Sequence, residues 1–276
     1  MIIVTTIRNQ VAKVQSDVKK QGREQVLDWL CTHDYSDQLR ANMELHQAGT
    51  GKWLLSHPRF TDWKSSLSSS TLLCHGGPGT GKTVLSAQVI RHLHEEVSDS
   101  GKPVLYIFCD YKMRAEQSRA HLLATLMRQL GYFSSDVFEK LKQLHARCRE
   151  KSSRPVETDL ERVLEEALTI VGDAYIVVDA LDECEKSPRS SLIRTLREKS
   201  SRCTIRLLTT ARREHDIEAL FDGCPVLIIR ASDKDIELYA KEHTKSFEQS
   251  LVDNQKLCCE VVQAVVDASE GMYVRV

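Results

Sequence analysis

The sequence predicts a three-layer α/β fold: a central five-stranded, mainly parallel sheet covered by helices and preceded by a helical segment. Three observations carry that expectation. Gly76-Gly77-Pro78-Gly79-Thr80-Gly81-Lys82-Thr83 fits the spacing Gly-x-x-x-x-Gly-Lys-Ser/Thr at every fixed position. The apolar run Tyr175-Ile176-Val177-Val178 ends in Asp179, with Asp182 and Glu183 just beyond. Apolar strands near 71–75, 103–109, 174–179, 204–210 and 225–230 alternate with amphipathic stretches near 82–97, 115–131, 136–149, 158–171, 188–200, 233–247 and 254–269. Such alternation gives a parallel sheet buried on both faces.

Each region follows in order. Residues 1–30 read as helix, because Ile7, Val11, Val14 and Val18 step by four, three and four. Gln21 and Gln25 take the next seam positions, so the seam lasts about two heptads, too short for a free coiled coil, and suits a helix packed on an upstream domain outside this sequence. Residues 31–70 read as a linker with aromatic anchors at Trp53, Phe60 and Trp63 and a Ser-rich joint at Ser65–Ser70. Within it, Gly49-Thr50-Gly51-Lys52 echoes the later glycine motif but lacks the first glycine, the following Ser/Thr and a preceding strand. It reads as a turn, at most one that flanks a nucleotide. Residues 71–231 form the core, and 232–276 read as C-terminal helices that start a helical lid. Thr158 with Glu161 reads as a capping box, and Ser187-Pro188 as an N-cap before a helix-first proline.

The octapeptide sits between a short apolar run, Thr71-Leu72-Leu73-Cys74, and a helical pattern of Val84, Val89, Ile90 and Leu93. Glycines let the backbone wrap phosphate oxygens with its N–H groups, and the helix N-terminus adds partial positive charge. The expected nucleotide contacts are Gly76, Gly77, Pro78, Gly79, Thr80, Gly81, Lys82 and Thr83. Lys82 reaches the β/γ-phosphates, and the Thr83 hydroxyl ligates Mg²⁺. Asp179, at the C-terminal end of a central strand, is the second expected Mg²⁺ ligand. Asp182 or Glu183 is the candidate general base, and the spacing does not choose between them. A third block, Ile205-Arg206-Leu207-Leu208-Thr209-Thr210, leads into Ala211-Arg212-Arg213. Thr210 or Arg212 there faces the same sheet edge, and Arg212 is the candidate γ-phosphate contact, unless it pairs with Glu214 instead.

Composition sets the remaining expectations. The chain has 276 residues and a formal net charge of −1, which gives no electrostatic case for a nucleic-acid or membrane partner. No run of 18 apolar residues occurs, so no membrane span is expected. Nine cysteines occur without C-x-x-C spacing, as in a reduced, cytoplasmic protein. No N-K-x-D motif occurs, so ATP or ADP with Mg²⁺ is expected while GTP stays open. Protein partners or self-association are expected through an apolar face of the last helix (Leu257, Val261, Val262, Val265, Val266).

These blocks together resemble NACHT-type P-loop NTPases of the STAND class, in particular fungal NLR-like proteins, also described as having a nephrocystin-type N-terminal P-loop domain. The match is carried by Gly76–Thr83, by Val177-Val178-Asp179-Ala180-Leu181-Asp182-Glu183-Cys184, and by Leu208–Ile217. The segments Gly49–Leu55 through Phe60 and Trp63, and Ile107-Phe108-Cys109-Asp110-Tyr111, are also similar, and the likeness covers about 25–276. The resemblance implies a fourth strand inserted between the motif strand and the strand of Asp179, which puts Arg212 beside the γ-phosphate. It implies a molecular switch between an ADP-bound closed state and an ATP-bound oligomerising state, with slow hydrolysis, acting in fungal self/non-self recognition and cell death. Arg213 stands where a proline is usual in the family. The sequence also reads as ending before the family's winged helix and repeats, which implies rapid ADP exchange. The contrasting expectation is a non-hydrolysing interaction module, or truncated pseudo-switch, that acts through protein contacts.

Overall fold

The computed structural model describes residues 2–97, 100–199, 202–248, 255–269 and 271–272. The side chains of Ile7, Val11, Val14, Leu257, Cys258, Cys259 and Val261 lie outside that description. In chain order the helices are α1 (Ile2–Leu30), α2 (Ser36–Glu44), α3 (Lys52–Leu55), α4 (Pro58–Ser65), α5 (Lys82–Val97), α6 (Arg119–Phe133), α7 (Ser135–Glu150), α8 (Glu157–Val171), α9 (Lys186–Lys199), α10 (His215–Leu220), α11 (Asp233–Glu248) and α12 (Gln255–Ser269). The strands are β1 (Ser70–Gly76), β2 (Val104–Phe108), β3 (Asp173–Asp179), β4 (Thr204–Ala211) and β5 (Val226–Ile229).

The chain divides into two compact units. One comprises Met1–Asp34 and Ala120–Val171, and is helical. Its core is built on close approach: a Cβ at Gly131 would lie 2.6 Å from Leu141 Cδ1 and 2.8 Å from Leu27 Cδ2, so a larger residue there would have to displace both leucine side chains. Arg128 ties α6 to α1, donating to Asp28 Oδ1 and the Cys31 carbonyl, both at 2.8 Å.

The second unit, Tyr35–Arg119 and Gly172–Val276, holds the sheet. The strand order is β2-β3-β4-β1-β5, and every pairing is parallel. The expected "mainly parallel" sheet is thus wholly parallel among the described residues. Leu72, Ile176, Val177, Val178, Leu207 and Leu208 on the central strands are buried, with Ile90 and Leu93 of α5. The β1–α5–β2 crossover runs toward one sheet edge, while β3–α9–β4 and β4–α10–β5 run toward the other. Right-handed crossovers therefore set α5 on one face and α9 and α10 on the opposite one. Because β1, β3 and β4 are parallel neighbours, Gly76, Asp179 and Ala211 all finish at one edge of the sheet.

Several local expectations change. Residues 31–70 carry α2, α3 and α4 rather than an open linker. Trp63 is an anchor of the sheet, its indole Nε1 donating to the Leu207 carbonyl at 3.0 Å. These helices are short and interrupted by Gly49, Gly51 and Pro58, so no long apolar period marks them. Helix α9 starts at Lys186, ahead of the expected Ser187 cap, and Pro188 falls in its first turn, where an N–H has no intrahelical partner anyway. Helix α8 starts at Glu157, so Thr158 lies inside it. Val18, the last apolar position of the α1 seam, is exposed. Val262 is buried, so the apolar face of α12 is at least partly covered within this unit.

Candidate functional site

The loop between β1 and α5 is shaped by its glycines. Gly79 and Gly81 sit at φ of 71° and 82°, in the left-handed region where a side chain is strained. A Cβ on Gly76 would meet Thr80 Oγ1 at 2.5 Å. The Thr80 hydroxyl instead donates to the Gly77 carbonyl at 3.0 Å and holds the loop closed on itself. Lys82 turns back over the loop and donates to the carbonyls of Gly76 (3.0 Å) and Gly77 (2.8 Å). Burial pushes its ammonium below the ordinary lysine range, opposed by the charges of Asp182 and Asp179.

Across the sheet edge, Asp179 is 1% exposed. Its Oδ1 accepts from Ser86 Oγ and Thr210 Oγ1, each at 2.6 Å, and the Thr83 side chain also favours its ionised form. Ser86 lies three residues after Thr83 on α5, so both hydroxyls share the helix face turned to β3. Burial pushes the Asp179 carboxyl above the ordinary carboxylate range, against the pull of those hydroxyls and of Lys82. The next residue, Ala180, has φ of 52°, a left-handed turn without glycine. That conformation costs on the order of 1–2 kcal/mol. Its N–H donates to Thr210 Oγ1 at 2.9 Å, which pins the strained turn to β4.

This turn carries the acid pair, and the structure separates its members. Asp182 is buried, and both its oxygens are used: Oδ1 accepts from the Arg212 backbone N–H at 2.9 Å, and Oδ2 lies 3.2 Å from Arg212 Nε. Glu183 faces the cleft. Its Oε2 accepts from the Tyr111 N–H at 3.2 Å, and its Oε1 lies 3.6 Å from Arg212 Nη2. Burial pushes the Glu183 carboxyl up, the Tyr111 N–H pulls it down, and the Asp182 charge raises it again. Arg212 pairs with these two acids and not with Glu214; Glu214 is held by Arg189, and Arg213 pairs with Glu218.

Lys82, Thr83, Glu183 and Arg212 open onto one cleft of about 430 Å³, with Asp179 and Asp182 buried behind its lining. Its walls are the loop from Pro78 to Lys82, the start of α5, Ala180, Glu183 and Arg212, closed by the segment Leu45–Thr50 and by Tyr239 of α11. The turn read in the sequence as an echo of the motif is thus a cleft wall. It is fixed by Gly51 N–H to Asp235 Oδ2 (3.2 Å) and Gln88 Nε2 to the Thr50 carbonyl (3.2 Å). Sequence reasoning missed Ser86, Arg189, Leu45–Gln47 and Tyr239, and gave Tyr111 no role in the site. Of these only Ser86 left a signal, its three-residue spacing from Thr83.

The donor set fits a hard divalent cation. A buried, strand-end carboxylate ringed by the hydroxyls of Thr83, Ser86 and Thr210 offers oxygen ligands alone, as Mg²⁺ prefers. No cluster of three or more His, Cys, Asp or Glu suited to a metal occurs among the described residues. Mg²⁺ bound with a phosphate substrate needs only one or two carboxylates.

The raised Asp179 carboxyl makes a stability prediction. With its folded pKa above the unfolded value, the native state holds the proton more tightly than the unfolded chain. Ionised Asp179 therefore erodes stability as pH rises above the unfolded pKa and through the folded one. Asp179→Asn keeps the acceptor for Ser86 and Thr210 without the charge. Without nucleotide, this variant is expected to melt above wild type at neutral pH, with the gap closing in mild acid. A lower melting temperature at neutral pH would contradict that burial cost.

A parallel sheet in the order β2-β3-β4-β1-β5, with a glycine loop and lysine between β1 and α5 and a buried aspartate ending β3, defines a P-loop NTPase. The family model for the N-terminal part of nephrocystin 3 matches residues 49–212, and the chain belongs to that family. No curated protein matches the chain. Similar solved structures include domain III of the Thermotoga maritima replication initiation protein DnaA, with a TM-score of 0.45, 15% identity, 84% of this chain covered and 82% of that one. The Aeropyrum pernix ORC1 protein in complex with DNA has a TM-score of 0.41 and 15% identity, over 77% of this chain and 49% of that one. The C. elegans PCH-2 structure has a TM-score of 0.38 and 15% identity, over 87% and 60%. The expectation that nucleic acid is no partner is withdrawn. A net charge of −1 averages over the whole chain without describing any one face. No described helix is long and apolar enough to cross a membrane.

Proposed function

We propose that this chain is a nucleotide-driven molecular switch of the NACHT/STAND type: a cytoplasmic signalling NTPase that binds Mg²⁺ with ATP or ADP and hydrolyses ATP slowly. Its setting, fungal immunity-like or heterokaryon-incompatibility signalling, rests on the family resemblance alone. The phosphates take the loop Gly76–Thr83, with Lys82 exchanging its loop carbonyls for β/γ-oxygens. Thr83 and Asp179 would hold Mg²⁺, which would supply positive charge to neutralise the phosphates.

The observation that carries the reading is the engagement of Arg212. It stands at the cleft, with its side chain half-exposed, held by Asp182 and Glu183. A γ-phosphate in the cleft competes for the same guanidinium. Only ATP offers that competitor, so only ATP shifts Arg212 away from Glu183. The same geometry supports Glu183 as the general base: Asp182 is buried with both oxygens on Arg212, while Glu183 lines the cleft and has its carboxyl raised by burial. Arg212→Ala is expected to weaken ATP roughly tenfold and ADP little, the loss of one charge-assisted contact. Titrating both nucleotides into wild type and variant checks this. Equal losses for ATP and ADP would remove Arg212 from the switch.

A further inference from the structure

Behind the cleft lies a charged group that no role above uses. Arg189, on α9, is 1% exposed and is among the largest fully buried side chains of the described chain. Its Nη1 donates to the carbonyls of Asp182 (3.3 Å) and Cys184 (3.4 Å), the residues on either side of Glu183. Its Nη2 donates to Glu214 Oε2 (2.7 Å) and Asp216 Oδ2 (2.5 Å), at the start of α10 and just beyond Arg212. One planar guanidinium thus joins the acid turn after β3 to the arginine loop after β4. The Asp216 carboxyl is held below the ordinary range, first by its hydrogen bond from Arg189. Arg189 Nε has no hydrogen-bond partner, so the fork is oriented wholly by these two loops. A buried cation that keeps one nitrogen unsatisfied is destabilising, and apolar packing would serve a purely structural purpose better.

We propose that Arg189 is a positioning residue that couples Arg212 to the Glu183 turn. When Arg212 moves toward a γ-phosphate, the loop carrying it pulls on Glu214 and Asp216. Through Arg189 that displacement reaches the two carbonyls that set the direction of Glu183. The proposal rests on the reading of Arg212 given above. A lysine cannot replace the fork, because a single ammonium has no planar geometry to reach four acceptors on two loops.

The test is a double-mutant cycle in nucleotide binding, with Lys82→Ala as the control for the site itself. Arg189→Lys is expected to weaken ATP about fivefold while leaving ADP within about twofold. In the Arg212→Ala background it is expected to cost ATP nothing further, because the two residues act as one device. If Arg189→Lys does not fold, Glu214→Gln with Asp216→Asn serves instead: both carboxylates are 38% exposed, and the same ATP-selective loss is expected. Equal weakening of ATP and ADP, additivity with Arg212→Ala, or wild-type binding by a folded variant would each overturn the coupling. A wild-type chain without Lys82-dependent binding would overturn the nucleotide reading and this inference with it. Lys82-dependent, ATP-selective wild-type binding with any of the three contrary results would overturn the coupling alone.

Discussion

Lys82→Ala is expected to weaken Mg²⁺–nucleotide binding at least tenfold and to leave the fold intact. The Lys82 ammonium now bonds only two loop carbonyls, Gly76 and Gly77, and no core group depends on it. Alanine at the first helical position keeps α5, since it is the best helix former. What the variant loses is a charged donor aimed at the phosphates. Each charge-assisted hydrogen bond is worth about 1.5–3 kcal/mol, and about 1.4 kcal/mol is a factor of ten in affinity. Burial already lowers the lysine's proton affinity, so an incoming polyphosphate restores an environment that suits the charge. Calorimetry measures the affinity, and circular dichroism confirms the fold. Equal affinity of wild type and variant would remove Lys82 from the site.

Glu183→Gln is expected to lower single-turnover hydrolysis by roughly 10²–10³, within the range a general base contributes, while leaving nucleotide binding nearly unchanged. The amide oxygen of the introduced glutamine still accepts from the Tyr111 N–H, so the turn should hold its shape. Asp182→Asn is expected to behave differently. It loosens Arg212, whose backbone N–H and Nε both rest on Asp182, and so it shifts ATP-over-ADP preference more than it slows chemistry. Single-turnover rates for both variants separate the roles. An unchanged rate in Glu183→Gln would exclude that carboxylate as the base.

The cleft edge of the sheet was legible in the sequence because its residue pattern is local. Gly76–Thr83 is one contiguous loop, and Asp179 ends an unbroken apolar strand, so type and position were both readable. The five strands were readable for the same reason: Val177, Val178, Leu207 and Leu208 are buried on both faces and form continuous apolar runs. Arg212 was placed at the right edge, but its partner was not readable. Glu214 is nearest in sequence, yet the chain turns after β4, and Asp182 approaches from the next strand. The choice between Asp182 and Glu183 depended on the left-handed turn at Ala180, a conformation that alanine does not announce. The role of Arg189 and the docking of the Gly49–Lys52 turn were unreadable for a third reason. Each depends on contacts distant in sequence, Arg189 with Glu214 and Asp216 and Gly51 with Asp235, and pattern within a short window carries no trace of them.

The most direct test of the switch is a crystal structure of the chain with Mg²⁺ and a non-hydrolysable ATP analogue. The phosphates are expected on the backbone of Gly77–Thr83, with the metal between Thr83 and Asp179. The base is expected against Leu45–Thr50 and Tyr239, and Arg212 turned from Glu183 to the γ-phosphate. An analogue bound elsewhere, or bound in this cleft with Arg212 still on both acids, would contradict the switch.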